Sequence, residues 1–203
     1  MKKEEIIAYF DRAAKRWDSA MVTDDRKIEA ILDAAGVEEG TTVLDVACGT
    51  GVLFPYYLRR NVARVIGVDV SPEMVRIARS KVQDEPRVEV LCGEMEILAV
   101  QAACDCCVVY NAFPHFPRPA RLVERLAQWV KPGGRITVAH GMSLEALHRH
   151  HAGRAEHVSR EMPAPEELAK LFLPWVCVDV MVSDEEKYIV SGVRRETKSA
   201  GEA

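Results

Sequence analysis

Apolar positions in this chain recur first at a helical period and then in short runs. Residues 3–17 place Ile6, Ile7, Phe10, Ala13, Ala14 and Trp17 at helical spacing. A second helix is predicted from about Asp24 to Ala35, with Thr23 or Asp24 as its cap and Gly36 as its stop. Thr42-Val-Leu-Asp-Val46 then reads as a short apolar strand, and a helix is predicted from about Val52 to Arg60. Arg64–Asp69 is the second strand. Ser71-Pro72-Glu73 combines an N-cap, a proline at the first helical position and an acidic first turn, opening a helix to about Gln83. Arg87–Cys92 and about Asp105–Asn111 are the third and fourth strands, followed by a helix from about Pro119 to Val130. Lys131-Pro-Gly-Gly134 is expected to be a tight turn into a fifth strand, Arg135–His140. Residues 143–152 and 165–173 look helical. Two strands follow, about Trp175–Val182 and Lys187–Arg194, before a tail at 196–203 expected to fray.

Strands that are apolar almost throughout and alternate with helices imply a mostly parallel sheet covered on both faces. The final hairpin adds an antiparallel C-terminal strand, which brings the expected sheet to seven strands. There is no internal repeat, low-complexity stretch or linker. The chain is therefore read as one α/β domain: helices at 1–36, a core at 41–195 and the tail.

With 48% hydrophobic and 29% charged residues, the composition argues against a disordered chain. A net charge of -4 gives no electrostatic footprint for long nucleic acid, and no nucleic-acid partner is expected. No apolar run approaches the roughly 20 residues of a membrane span. Residues 1–18 lack the apolar core and cleavage site of a signal peptide. A cytoplasmic location with reduced cysteines is expected. Cys104, Cys106 and Cys107 fall in a strand-like run and are read as buried strand residues.

The strongest chemical signal is Val43-Leu-Asp-Val-Ala-Cys-Gly-Thr-Gly51, set between a strand and a helix. Its glycines allow a sharp turn and a close approach of backbone to ligand. In an open α/β sheet this place is the crevice beyond the carboxyl ends of the strands. Asp69 ends the second strand, where a carboxylate can accept both hydroxyls of a ribose and repels a 2′-phosphate. Several nucleotide cofactors fit these two features. Three details separate them. Phe54 stands where the dinucleotide fingerprint wants a third glycine, and its bulk is expected to hinder close helix–strand packing. Asp45 suits an ammonium group and repels a phosphate. The Gly-Lys-Ser/Thr of a phosphate loop is absent.

Leu44-Asp-Val-Ala-Cys-Gly-Thr-Gly51, Val68-Asp-Val-Ser-Pro-Glu-Met74, Gly93-Glu-Met-Glu-Ile97 and Val130-Lys-Pro-Gly-Gly-Arg135 resemble, in order, the motifs of class I S-adenosylmethionine-dependent methyltransferases. The likeness covers roughly residues 8–195 and is nearest to the small-molecule branch that includes ubiquinone/menaquinone C-methyltransferases. That branch's N-terminal Phe-Asp-x-x-Ala-x-x-Tyr-Asp pattern is matched at Phe10–Asp18, with Trp17 for the usual Tyr. The resemblance implies a Rossmann-like fold with S-adenosyl-L-methionine as cofactor. It implies that Asp45 and the backbone of Ala47, Cys48, Gly49, Thr50 and Gly51 hold the methionine end. Asp69 would take the ribose, with Val70 and Met74 on the adenine. Glu94 and Met95 would also contact adenine, Glu94 standing where the family has Asp. Asn111 would face the sulfonium and the acceptor, and Tyr9 and Trp17 would belong to an N-terminal lid.

All six histidines fall between residues 115 and 157. His115 follows strand four and His140 ends strand five, so both are expected at the ligand edge of the sheet, as bases or as groups orienting the acceptor. Phe113 is expected to line the acceptor pocket with Tyr9, Trp17 and these two histidines. His148, His150, His151 and His157 are read as surface or structural residues, and no metal site is expected. The expected partner is a small-molecule methyl acceptor, with a homodimer as the default assembly. The alternatives are a nicotinamide-dependent oxidoreductase and a non-catalytic cofactor-binding protein on the same fold.

Overall fold

The computed structural model describes residues 1–99, 103–154 and 156–196, with the side chains of 150–154 and 156 outside the described set. The readings made for His150, His151 and the tail from residue 197 onward lie outside the described residues.

Two helices come first, α1 (Lys3–Ala20) and α2 (Asp25–Ala34). Asp24 caps α2, its carboxylate accepting from the Arg26 and Lys27 N–H groups at 3.0 and 3.4 Å. Gly36 ends the helix in the left-handed region, at φ +67°. The alternating part follows as β1 (Thr42–Val46), α3 (Phe54–Arg59), β2 (Arg64–Asp69), α4 (Pro72–Lys81), β3 (Val88–Cys92), β4 (Cys104–Tyr110), α5 (Pro119–Trp129) and β5 (Val130–His140). Two more helices, α6 (Leu144–Arg154) and α7 (Pro165–Phe172), precede the hairpin of β6 (Val176–Ser183) and β7 (Tyr188–Arg194).

The strands form one sheet in the order β3-β2-β1-β4-β5-β7-β6. β1 pairs parallel with both β2 and β4, while β7 runs antiparallel to β5 and to β6. The expected Rossmann-like sheet, mostly parallel with one antiparallel strand near its C-terminal edge, is present. The chain leaves β1 toward β2 and later returns to its other side as β4. This reversal opens a crevice above the carboxyl ends of β1 and β4.

Strand alternation builds a core on each face. Leu44, Val46, Ile66, Val68, Val109, Ile136 and Val138 pack with Leu122, Leu126 and Trp129 of α5 and with Leu168 and Phe172 of α7. Val43, Val65, Val90, Cys106 and Val108 pack with Ile28 and Leu32 of α2, Phe54 and Tyr57 of α3, and Val75 and Ala78 of α4. Cys104, Cys106 and Cys107 are buried strand residues, as their sequence context implied.

Two local expectations need correction. Lys131–Gly134 is not a turn outside the sheet, because β5 already begins at Val130. Cys104 pairs with Val130 and Cys106 with Arg135, so the four residues bulge from the β5 side of the ladder. A Cβ on Gly134 would stand 2.5 Å from the Asp105 carbonyl oxygen, so glycine is needed for that approach. The second correction concerns Phe54. It is 1% exposed and packs over Gly67 of β2, where a Cβ would meet Phe54 Cζ at 2.8 Å. The missing third glycine is thus offset by a glycine on the strand beneath.

Candidate functional site

A cavity of about 320 Å³ lies over the carboxyl ends of β1, β2 and β4. Asp45 and Asp69 form part of its wall, both buried. Ala47, Gly49, Val70, Met74, Glu94, Met95 and Asn111 line it as well. Ala47 and Asn111 adopt φ +56° and +53°, unusual for residues with a Cβ, at the two strand ends that face the cavity.

Asp69 is held by backbone. Its Oδ2 accepts from Gly49 N–H at 2.8 Å and its Oδ1 from Ser71 N–H at 2.8 Å. Burial raises its pKa, and the Ser71 and Gly49 N–H bonds oppose that rise. The carboxylate is therefore fixed in direction before any ligand arrives. Asp45 differs: among the described residues its Oδ2 has no hydrogen-bond partner. Burial, with Asp69 nearby as a second cause, pushes the Asp45 carboxyl up to about 8. A buried carboxyl in that state favours a cation as its partner.

Because the folded pKa lies above the unfolded one, Asp45 contributes stability below about pH 4, and this is lost as pH rises through about 8. Binding an ammonium group favours the ionised carboxylate, so such a ligand binds more tightly as pH rises toward 8. Asp45→Asn is expected to weaken an ammonium-bearing ligand by roughly 10- to 100-fold at pH 8, the loss of one charge-assisted hydrogen bond. The same change should remove Asp45's share of the fall in ligand-free stability between pH 4 and 8. Calorimetric titration and thermal melts across that range check both. Equal affinity of the two proteins at pH 8 would remove the ammonium assignment.

α1 roofs the cavity. Ile6, Phe10, Trp17 and Met21 line it at steps of four, seven and four residues, one stripe along the helix and its C-cap. Phe10 packs edge-on against Trp17 and against His115, with ring centroids at 5.8 and 4.9 Å. His115 lines the cavity from the short 3-10 turn after β4. Its Nδ1 lies 2.9 Å from the Val158 carbonyl oxygen and 3.2 Å from Ser159 Oγ. A carbonyl can only accept, so Nδ1 carries the proton and the lone pair of the neutral ring sits on Nε2.

Five expected site residues do not line the cavity. Thr50 is fully buried and turned to α1, its hydroxyl donating to Asp18 Oδ1 at 2.5 Å. Gly51, at φ +79°, makes room for Phe54, whose Cδ2 lies 2.5 Å from where a Cβ would stand. Tyr9 is one position out of phase with the α1 stripe and packs against His157, centroids 5.7 Å apart. Phe113 belongs to the core on the α5 side, and the wall is formed by Phe116 and Pro117 instead. His140 is buried beside Tyr188 of β7, its cross-strand partner, with ring centroids at 6.3 Å.

Ion pairs complete the wall. Lys3 of α1 pairs with Glu94, and Arg118 pairs with Glu96 at 2.5 Å. Both pairs escaped the sequence pattern, as did Met21, whereas Phe10 stands beside Tyr9 and Trp17 among the first helix's lid candidates. The α1 residues had a signal in the helical period. Glu96 and Arg118 lie on separate loops and had none. Among the described residues no group of His, Cys, Asp and Glu is arranged to hold a metal ion, and no helix is long and apolar enough to cross a membrane.

Residues 43–134 match the methyltransferase domain family. A ubiquinone biosynthesis O-methyltransferase of Xylella fastidiosa (strain 9a5c) is 35% identical over 106 residues, which cover 49% of this chain and 42% of that relative. The chain thus spans less than half the length of that relative. A SAM dependent methyltransferase from Aquifex aeolicus superposes with a TM-score of 0.68 at 23% identity, over 96% of this chain and 99% of that one. The [4+2]-cyclase SpnF superposes with a TM-score of 0.78 at 16% identity, over 96% and 97%. The match over residues 43–134 and these superpositions give the chain a Rossmann-like fold similar to that of S-adenosylmethionine-dependent methyltransferases.

Proposed function

We propose that the protein transfers the methyl group of S-adenosylmethionine to a small, largely apolar acceptor. The observation that carries this reading is Asp45, a buried carboxyl whose Oδ2 is unpartnered among the described residues, in the wall of the crevice that Asp69 also lines. The residues fit the cofactor: Asp45 would take its ammonium group, Gly49 and Ala47 its amino-acid tail, and Asp69 its ribose hydroxyls. Val70, Met74 and Met95 offer apolar surface for the adenine, beside Glu94. When bound, the cofactor supplies an electrophilic methyl group on a sulfonium. A pyrophosphate suits this crevice poorly. Its carboxylates include Asp45 and Asp69, while Lys3 and Arg118 are already engaged by Glu94 and Glu96. That weighs against a nicotinamide dinucleotide.

The chain's own residues supply alignment, exclusion of water and a base. Alignment of reacting groups alone contributes roughly 7–11 kcal/mol in favourable cases. Phe10, Trp17 and Phe116 give the acceptor apolar walls and keep water out. His115, its Nδ1–H held toward the Val158 carbonyl, takes the acceptor's proton on Nε2. The N-terminal helices serve as the lid of a single domain at 1–203. The proposal includes a cytoplasmic setting, where the six cysteines stay free thiols, and a homodimer as the default assembly.

The same fold carries a [4+2]-cyclase, so the reaction itself must be tested. The test is incubation with S-adenosylmethionine and a panel of phenols, quinols, thiols and amines, read as S-adenosylhomocysteine formed. Turnover with an uncharged acceptor is expected. Tight cofactor binding with no product across the panel would favour a non-methylating use of the fold.

A further inference from the structure

We infer that Asp11 and Asp18 are positioning residues that fasten α1 to the cofactor loops and so hold Phe10 and Trp17 over the crevice. The inference rests on the function proposed above. Phe10-Asp11 and Trp17-Asp18 are two aromatic–carboxylate pairs seven residues apart, about two helical turns. The two aromatics therefore share the stripe that faces the cavity, and the two carboxylates share the neighbouring stripe.

Each carboxylate accepts a hydrogen bond from a buried hydroxyl. Asp11 Oδ1 accepts from Ser71 Oγ at 2.5 Å and from Glu73 N–H at 3.2 Å. Asp18 Oδ1 accepts from Thr50 Oγ1 at 2.5 Å, and its Oδ2 pairs with Lys81 Nζ at 2.7 Å. Ser71 and Thr50 are both 0% exposed. The Asp18–Lys81 pair is largely exposed and contributes little. The hydroxyl bonds matter more, because a bond from a buried hydroxyl to a carboxylate is charge-assisted and poorly screened by solvent.

Both latches end beside the donors that orient Asp69. Ser71 gives its own N–H to Asp69 Oδ1, and Gly49, next to Thr50, gives its N–H to Asp69 Oδ2. A ligand gripped by Asp69 orders the two loops to which α1 is fastened. The fastened helix in turn closes the way out. This coupling is reciprocal in affinity, so loosening either latch should weaken ligand binding, and such losses fall mostly on the release rate.

The experiment follows S-adenosylhomocysteine release by stopped-flow displacement, together with tryptic cleavage at Lys15 and Arg16, which are exposed on α1. Thr50→Val is expected to speed release about tenfold, and Asp11→Asn and Asp18→Asn, which keep a weaker uncharged acceptor, roughly threefold. Thr50→Ser, which keeps the hydroxyl, should release at the wild-type rate. Asp18→Asn combined with Thr50→Val should be no faster than Thr50→Val alone, since the asparagine weakens and the valine removes the same bond. S-adenosylhomocysteine should protect Lys15 and Arg16 in the wild type and protect them less in Asp18→Asn. Wild-type release from both aspartate variants, additive effects in the double variant, or equal release from Thr50→Ser and Thr50→Val would each overturn the inference. Should a variant not fold, the Thr50→Ser against Thr50→Val contrast and the wild-type protection still decide it. Failure of the wild type to bind S-adenosylhomocysteine is a separate result that removes the proposed function. The ligand-free cleavage rate of Asp18→Asn against wild type then reports on the latch alone, faster cleavage supporting it and equal cleavage overturning it.

Discussion

Asp69→Ala is expected to raise the dissociation constant for S-adenosylhomocysteine by about two to four orders of magnitude. A carboxylate that accepts two ribose hydroxyls makes two charge-assisted hydrogen bonds, each about 1.5–3 kcal/mol, and each 1.4 kcal/mol is roughly tenfold in affinity. The structure adds a second route to the same loss. Asp69 is the acceptor for the Gly49 and Ser71 N–H groups, so its removal leaves both loops without their common anchor. Asp69→Asn keeps an acceptor and should fall between alanine and wild type. Equilibrium competition measures all three. A change of less than about threefold in the alanine variant, which is under half of one such bond, would remove Asp69 from the cofactor site.

His115→Ala should lower turnover by about two to four orders of magnitude for an oxygen or carbon acid acceptor, the usual range for a lost general base. S-adenosylhomocysteine affinity should stay within about twofold, since nothing assigns the ring to the cofactor. A thiol acceptor, which ionises more readily, should show a much smaller drop. His140→Ala is the informative contrast. His140 is buried against Tyr188, away from the cavity wall, so its loss should lower the unfolding temperature with turnover of the folded fraction near normal. Equal turnover in wild type and His115→Ala with a phenolic acceptor would discard the base assignment.

Much of this arrangement was legible in the order of residues. Five apolar runs separated by helical periods dictate a covered parallel sheet, and the position of Asp69 at the end of the second run places it at the crevice whatever the details. What escaped was side-chain direction where no period operates. Phe113 and Phe116 lie in a single turn after β4, and nothing in their spacing says that the first enters the core and the second the cavity. Thr50 and Gly49 are adjacent, yet only Gly49 lines the cavity, because the Thr50 hydroxyl finds Asp18 on a helix 32 positions away. His140 reaches the end of its strand as expected. Its pairing with β7 then puts it beside Tyr188, a long-range contact invisible to local pattern. Tyr9 against Phe10 was readable: extending the stripe from Ile6 and Trp17 selects Phe10.

The most direct test is calorimetric titration of the wild type with S-adenosylhomocysteine near pH 6.5, repeated in buffers of different ionisation heat. Asp45 is then mostly protonated before binding, with its carboxyl near 8, whereas an α-amino group, near 7.7–8.0, is already charged. Binding with close to one proton released per ligand is the predicted result, vanishing in Asp45→Asn. No binding, or binding with no proton released, would contradict the account.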